Sequence, residues 1–381
     1  MARIIVASYM VRMPVGGYHS WMLQWLLGFT RLGHEVWFVE KSGWPESCID
    51  PITWTRSDDC RRGTAALDVL LARFGLAGRW CYVDAAGAYH GMSRQAIEAV
   101  FNSADLFVDH MRDCEWVEES RSVGHRTIID GEPAFTQARM LKRRAAGKAV
   151  IEYDSYYSVG LNVGTSRSSA PDAGCRWRPI FDPVVMDLFP VTPPPADGPF
   201  TTIMAWEAHN TLVFDGVSYA SKQAEFPKIM DLPSRSRRAT FELAMSGLAP
   251  FDTLTAAGWR VQESARVTAD YDAWLAYILG SRGEISVCKE YFVSTNSGAF
   301  SDRSAAYLAC GRPAIVQDTG FSAHLPVGRG LFAFRTVDEA AAAVDAVMTD
   351  PGAHARWARE IAGDCLAADV VLKRLLDDVG L

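Results

Sequence analysis

Residues 284–320 read EISVCKEYFVSTNSGAFSDRSAAYLACGRPAIVQDTG, and the densest chemistry of the chain lies in the middle of this stretch. A loop of small and hydroxyl residues, 294–301, runs into Asp302 and Arg303, with Ser301 in the position of a helix N-cap. The unpaired N–H groups of a first helical turn carry the positive end of the peptide dipoles, so this loop suits phosphate oxygens. An ordinary αβ unit capped by Ser301 accounts for the same letters. The charged pair at the helix entrance and the polar strand end Gln317-Asp318-Thr319-Gly320 tilt the balance toward a site.

Proton transfer is the second chemistry on offer. The run Leu106-Phe107-Val108 ends in Asp109-His110-Met111-Arg112-Asp113, and Arg126-Thr127-Ile128-Ile129 ends in Asp130-Gly131-Glu132-Pro133. Asp130 and Glu132 form a base with its orienter, or else a solvated turn. His19 stands just after Gly16-Gly17, where the absence of side chains lets backbone approach a ligand. A lone histidine near a helix start is more often structural than catalytic.

These residues need strands and helices to hold them. RIIVAS at 3–8 reads as a buried parallel strand, 21–32 as a helix and 35–40 as a second strand, which makes a βαβ unit. Helices over 64–74 and 94–103 and a β-like run at 150–153 follow, and 155–178 reads as a long loop over a cleft. Five prolines between 189 and 199 exclude a helix or central strand there and mark a stiff linker. Beyond it, 200–205 and 259–261 read as strands. Helices are expected over 239–245, 271–279, 302–310, 337–348, 353–362 and 367–379, with a strand over 314–316. The expected division is a domain over 1–189, a linker over 190–199, a second domain over 200–365 and a final helical segment over 366–381. Two α/β halves imply a cleft between them.

The chain has 381 residues, 49% of them hydrophobic and 22% charged, which describes a globular protein of two ordinary domains. A net charge of −7 and a pI near 5.7 give no global footprint for nucleic acid. The eight cysteines are scattered without CxxC or metal-like Cys/His spacing, so reduced thiols are expected rather than disulfides or zinc. No apolar run reaches the roughly 18 residues of a membrane span. Residues 1–9 lack signal-peptide character, so a cytoplasmic location is expected.

Gly16-Gly17, the two α/β halves and the block Ser301-Asp302-Arg303…Gly311-Arg312-Pro313 resemble nucleotide-sugar glycosyltransferases of the GT-B fold. The resemblance is strongest to a group whose C-terminal half carries a phrase like FSDRSxxYLAxGRPxxxQDTG, matched here over 300–320. Asp130-Gly131-Glu132-Pro133…Gln137 is similar to a phrase in that group's N-terminal half. It implies two Rossmann-like doubly wound domains facing across a cleft, with a C-terminal helix returning to the N-terminal domain. A nucleotide diphosphate sugar would be the donor substrate, with no cofactor, and uridine the commonest nucleotide. Ser297, Gly298, Ser301, Asp302 and Arg303 would surround the pyrophosphate, with Lys222 and Lys289 as further cations. Asp318, Thr319 and Gly320 would sit near the sugar, and Gly16 and Gly17 beside the donor.

One departure matters. Many retaining members carry two glutamates eight positions apart, and those places here are Gly298 and Ala306. Inversion by a general base therefore competes, with His19, Asp130, Glu132 and His110 as candidates in that order. No DxD triplet stands where it would hold a divalent ion, so metal independence is expected. Loop aromatics such as Trp206, Tyr219, Tyr156 and Tyr157 could stack on a sugar, a base or a flat acceptor. The leading expectation is sugar transfer to a small molecule or glycan. Three alternatives remain: a sugar-nucleotide 2-epimerase, a glucosyltransferase acting on hydroxymethylated DNA bases, and a non-catalytic nucleotide-sugar binder. The acidic balance argues against DNA. Sugar, acceptor and oligomeric state are left open.

Overall fold

The computed structural model describes residues 1–110, 115–207 and 212–381. Met111, Arg112, Asp113 and Cys114 lie outside the described residues. The N-terminal strands are β1 Arg3–Ala7, β2 Glu35–Lys41, β3 Trp80–Val83, β4 Tyr89–Gly91, β5 Leu106–Asp109, β6 His125–Asp130, β7 Ser155–Ser158 and β8 Trp177–Pro179. They form one sheet in the order β8-β7-β6-β5-β1-β2-β3-β4, parallel except for the β3–β4 hairpin at the edge. The second sheet has strands β9 Phe200–Ala205, β10 Phe241–Ser246, β11 Arg260–Glu263, β12 Gly283–Ser286, β13 Ala314–Gln317 and β14 Leu331–Phe334. Its order is β11-β10-β9-β12-β13-β14, parallel throughout. Both sheets are doubly wound, and their short, apolar, β-branched strands suit burial on both faces.

Four helices bear on the site: α1 Gly16–Arg31, α2 Tyr271–Leu279, α3 Asp302–Ala309 and α4 Ala368–Val379. α4 packs on the N-terminal sheet, where Val371, Leu372, Leu375 and Leu376 join Ile4, Met22, Leu26 and Phe38 in one core. Gly28 of α1 is needed there, because a Cβ on it would lie 2.5 Å from the Leu372 side chain. The proline-rich segment is held by the buried Arg312, which donates to the Thr192 carbonyl at 2.7 Å and hydroxyl at 2.8 Å. Among the described residues no helix is long and apolar enough to cross a membrane.

Several expected elements differ. The helix expected over 239–245 is strand β10, because Phe241, Leu243 and Met245 fill one core between β9 and β11. The β-like run at 150–153 is displaced to β7. The expected loop over 155–178 begins and ends in strands, leaving 159–176 as the true loop. Gly16 and Gly17 lie inside the first turn of α1 rather than before it.

Candidate functional site

In an open α/β sheet, ligands gather where the strand order reverses. The reversal falls between β1 and β5 in the first sheet and between β9 and β12 in the second. Residues following those strands line a single cavity of about 330 Å³, to which both halves contribute. A recess of about 160 Å³ continues it toward Phe292 and Phe300. A larger hollow of about 410 Å³ lies within the N-terminal half beside Trp44 and Arg139, away from both reversals.

The N-terminal wall is aromatic. Tyr9, just after β1, lies 5.0 Å from the Tyr18 ring and 6.2 Å from that of Trp21. The loop carrying Tyr9 is pinned by the buried Glu40, whose carboxylate accepts the backbone N–H groups of Met10 and Val11 at 2.7 Å and of Arg12 at 3.0 Å. His110, after β5, is packed edge-on against Trp21 and Trp25, at 5.1 and 4.5 Å between centroids. Neither of its ring nitrogens has a partner among the described residues, and burial pushes the imidazole down to about 3, so it is neutral.

Asp182 also lines this wall. The indole N–H of Trp21 donates to its Oδ1 at 2.6 Å and that of Trp25 at 3.4 Å. Burial and then the neighbouring Asp302 carboxylate push Asp182 up to about 7, against the two indole donors. Burial raises Asp302 as well. The Asp302 carboxylate on the opposite wall thus opposes ionisation of Asp182.

The C-terminal wall carries cations and a helix terminus. Ser301 caps α3, its Oγ accepting the Arg303 N–H at 3.2 Å. The Arg303 guanidinium is fastened from behind, donating to Glu284 at 2.8 Å, the Ile203 carbonyl at 2.7 Å and Ser286 at 2.6 Å. Lys222 lines both hollows and makes no hydrogen bond or ion pair among the described residues. Burial, then the Arg303 charge, push its ammonium down to about 7. Lys289 reaches across the cleft to Glu132, whose carboxylate accepts from Lys289 at 2.6 Å and from the Tyr291 hydroxyl at 2.7 Å.

The residues expected from sequence separate into two groups. Glu132, His110, Gly17, Lys222, Lys289, Ser301, Asp302 and Arg303 line the cavity. The others face elsewhere. His19 is 2% exposed, with Nε2 toward the Met10 carbonyl at 3.2 Å, and burial pushes it down to about 4. Asp130 is a staple for its own turn, accepting from Gln137 and Ser158 at 2.8 Å and from the Glu132 N–H at 2.9 Å. Gly16 is pressed on the other half, where a Cβ would meet the Asp270 carbonyl at 2.0 Å.

Ser297, Gly298 and Gly320 lie against the 159–176 loop. The Asn162 N–H donates to the Ser297 carbonyl at 2.9 Å, and a Cβ on Gly298 or Gly320 would strike Asn162 at 2.9 or 2.6 Å. Thr319 donates to the Ala299 carbonyl at 2.6 Å. Asp318 closes its loop by accepting from the Gly320 N–H at 2.8 Å and from Ser322 and Arg335 at 2.9 Å. Of the aromatics noted, Trp206 packs on Phe226 in the core. Tyr156 meets Trp177, and Tyr157 meets Arg178 and Asp378, all outside the cavity. Asp182, Tyr9 and Trp21 escaped the sequence reading, since nothing local marks Phe181-Asp182-Pro183 as a site.

No protein-family model matches the chain, and no curated protein matches it in sequence. Solved structures do match over its whole length. An alpha-glucosyltransferase in complex with UDP and a 13-mer DNA superposes with a TM-score of 0.61 at 10% identity, covering 100% of both chains. Anabaena Alr3699/HepE in complex with UDP-glucose gives 0.60 at 11%, again covering 100% of both. AviGT4, a glycosyltransferase involved in avilamycin A biosynthesis, gives 0.59 at 11%, covering 100% of this chain and 97% of that one. At such identities the likeness concerns architecture: the chain has the GT-B fold, two Rossmann-like halves facing across a cleft and a terminal helix packed back on the first.

Proposed function

We propose that the protein is a glycosyltransferase that moves a sugar from a nucleotide diphosphate sugar, a UDP-sugar by likeness to its structural neighbours, to a hydroxyl of a small-molecule or glycan acceptor. The observation that carries this reading is the meeting of Lys222, Arg303 and the Ser301-capped terminus of α3 at one sheet reversal, opposite an aromatic wall at the other. Cleavage of the anomeric C–O bond leaves negative charge on the departing diphosphate. Fixed cations and helical N–H groups stabilise that charge without reorganising. Lys222, held near its titration point, takes up a proton as the diphosphate arrives.

The acceptor hydroxyl needs a base on the opposite wall. Asp182 fits: it lines the cavity, two indole N–H groups orient it, and its raised affinity for protons matches neutral pH. Glu132 is the alternative from the sequence-based set, though Lys289 and Tyr291 already occupy it. His110 stays neutral at working pH and offers a substrate hydroxyl ring nitrogens that have no partner among the described residues. With Gly298 and Ala306 where many retaining members carry acids, inversion by a base on this wall competes with retention.

A DNA acceptor is the alternative, favoured by the likeness to an alpha-glucosyltransferase in complex with DNA and opposed by the engagement of basic side chains within the fold. Arg235 is paired with Asp231 and Asp338, while Arg143 and Arg144 donate to backbone carbonyls, so these guanidinium groups are committed within the fold. No observation favours the epimerase. The seven described cysteines are free thiols.

A thermal-shift panel of nucleoside diphosphates and their sugars tests the reading, with Lys222→Met beside the wild type. One nucleotide should stabilise the wild type, by about 2.7 kcal/mol at a hundred times its Kd. The variant should bind it roughly 10- to 100-fold more weakly, the worth of a charged hydrogen bond. Folded protein that ignores every nucleotide at millimolar concentration would sink the proposal.

A further inference from the structure

We propose that Cys60, Asp84 and His90 form a site for a divalent cation of the zinc class, outside the cleft, fastening the helix Arg61–Arg73 to the edge hairpin β3–β4. Asp84 and His90 face each other across one hairpin, and the fold brings in Cys60 from 24 positions before Asp84. Cys60 immediately precedes the helix and makes no side-chain capping bond. Asp84 opens the turn of the hairpin, and His90 lies on β4 opposite Tyr82. The sulfur, a carboxylate oxygen and a ring nitrogen all lie within 4.8 Å of one another.

The hairpin explains only half of this arrangement. Asp84 Oδ1 accepts the N–H groups of Ala86 and Ala88, both at 2.9 Å, which is ordinary turn chemistry. Its Oδ2 points the other way, 2.8 Å from His90 Nε2, and that same nitrogen lies 3.7 Å from the Cys60 sulfur. One ring nitrogen can satisfy one of these neighbours by a hydrogen bond, but not both. A cation on its lone pair satisfies both at once. In a tetrahedral zinc site, bonds of about 2.0–2.3 Å hold the ligand atoms about 3.3–3.6 Å apart, so small shifts would suffice.

Thiolate, imidazole and carboxylate together suit zinc better than magnesium or calcium, which prefer all-oxygen shells. Cys60 is 6% exposed, whereas the His90 and Asp84 side chains keep 34% and 18% exposure, leaving an entry path and room for a water ligand. On binding, the thiol releases its proton to solvent and the thiolate coordinates. The hairpin is the open edge of the N-terminal sheet, two strands from β1, so the ion would stiffen the flank of the half that forms the aromatic wall.

Chelator-stripped full-length protein titrated with Co²⁺, the probe for zinc, decides the matter. The expected result is a near-ultraviolet thiolate-to-cobalt band with the visible bands of a four-coordinate ion, saturating at a single ion and bleached by Zn²⁺. Cys60→Ser should abolish the thiolate band, and His90→Gln should weaken binding at least tenfold. Cys48→Ser should keep the band, so the test stands even if Cys60→Ser fails to fold. A wild type without the band overturns the proposal, as does a band that survives in folded Cys60→Ser or disappears in Cys48→Ser.

Discussion

On the N-terminal wall of the cleft, ionised groups are few and the work falls to rings. Tyr9, Tyr18 and Trp21 enclose a neutral imidazole and a carboxyl whose proton is held by burial. On the C-terminal wall, charge is gathered and anchored: Arg303 is tied to Glu284 and two further oxygens, Ser301 caps a helix, and Lys222 waits beside them. The contrast follows from what each wall would handle. A diphosphate brings formal charge and must be met by fixed opposite charge. A hydroxyl acceptor brings none, and a base near it works best where water is scarce and its basicity has been raised.

The sharpest way to break this contrast is Asp182→Asn. The amide oxygen still accepts the Trp21 N–H, but the base is gone, so turnover should fall about 10²- to 10⁴-fold with nucleotide binding unchanged. Stability should move the other way. The folded Asp182 holds its proton up to about 7 against an ordinary value of 3.8, so the native state binds more protons than the unfolded chain between these limits. Its favourable contribution is therefore present at low pH and lost as pH rises through 7. The asparagine variant should melt a few degrees higher than the wild type at pH 8, with the gap closing toward pH 4. A variant that keeps its rate would return the base to Glu132.

A smaller effect is expected from Trp21→Phe, which keeps the ring and removes the N–H. Losing a donor to the charged form raises the Asp182 carboxyl further, so the acid limb of the pH–rate profile should move to higher pH. Turnover at pH 7 should drop about tenfold and recover in alkaline buffer, whereas a purely packing role would lower the rate at every pH. The mildest change is Glu132→Gln. It releases Lys289 from an ion pair that bridges the two walls, so nucleotide should bind several-fold more tightly. Weaker binding in that variant would show that the pair holds the walls in place rather than competing with the ligand.

Legibility in the sequence divides along the same line. Ser301, Asp302 and Arg303 could be read because a strand, a small-residue loop and a capped helix are local, and their order alone makes an anion cradle. Lys222 and Lys289 were also within reach. Asp182 was not: its character comes from Trp21 and Trp25, some 160 positions away, and from burial that no neighbouring letter announces. The misreadings have the same root. Asp130 and Glu132 look alike two positions apart, yet the turn sends one inward to Gln137 and the other across to Lys289. Gly16 and Gly298 look like glycines that admit a close approach, and what approaches each in this structure is the other half of the molecule. The run at 239–245 suits helix or strand until neighbours on both sides choose. For Cys60, Asp84 and His90 the spacing says nothing, because a helix start and a hairpin bring them together.

Helix α4 also has a bearing on how the molecule is made. Leu372, Leu375 and Leu376 complete a core whose other members include Ile4, Leu26 and Phe38. During synthesis the first half therefore leaves the ribosome with an open apolar face, and it stays open until the whole second half has been translated. The second sheet draws its strands from residues 200–334, and the helices that close its cores follow at once, through Leu366. Nascent chains of this protein should thus depend on chaperone cover for the half that is made first, reversing the usual order in which domains mature from the N-terminus.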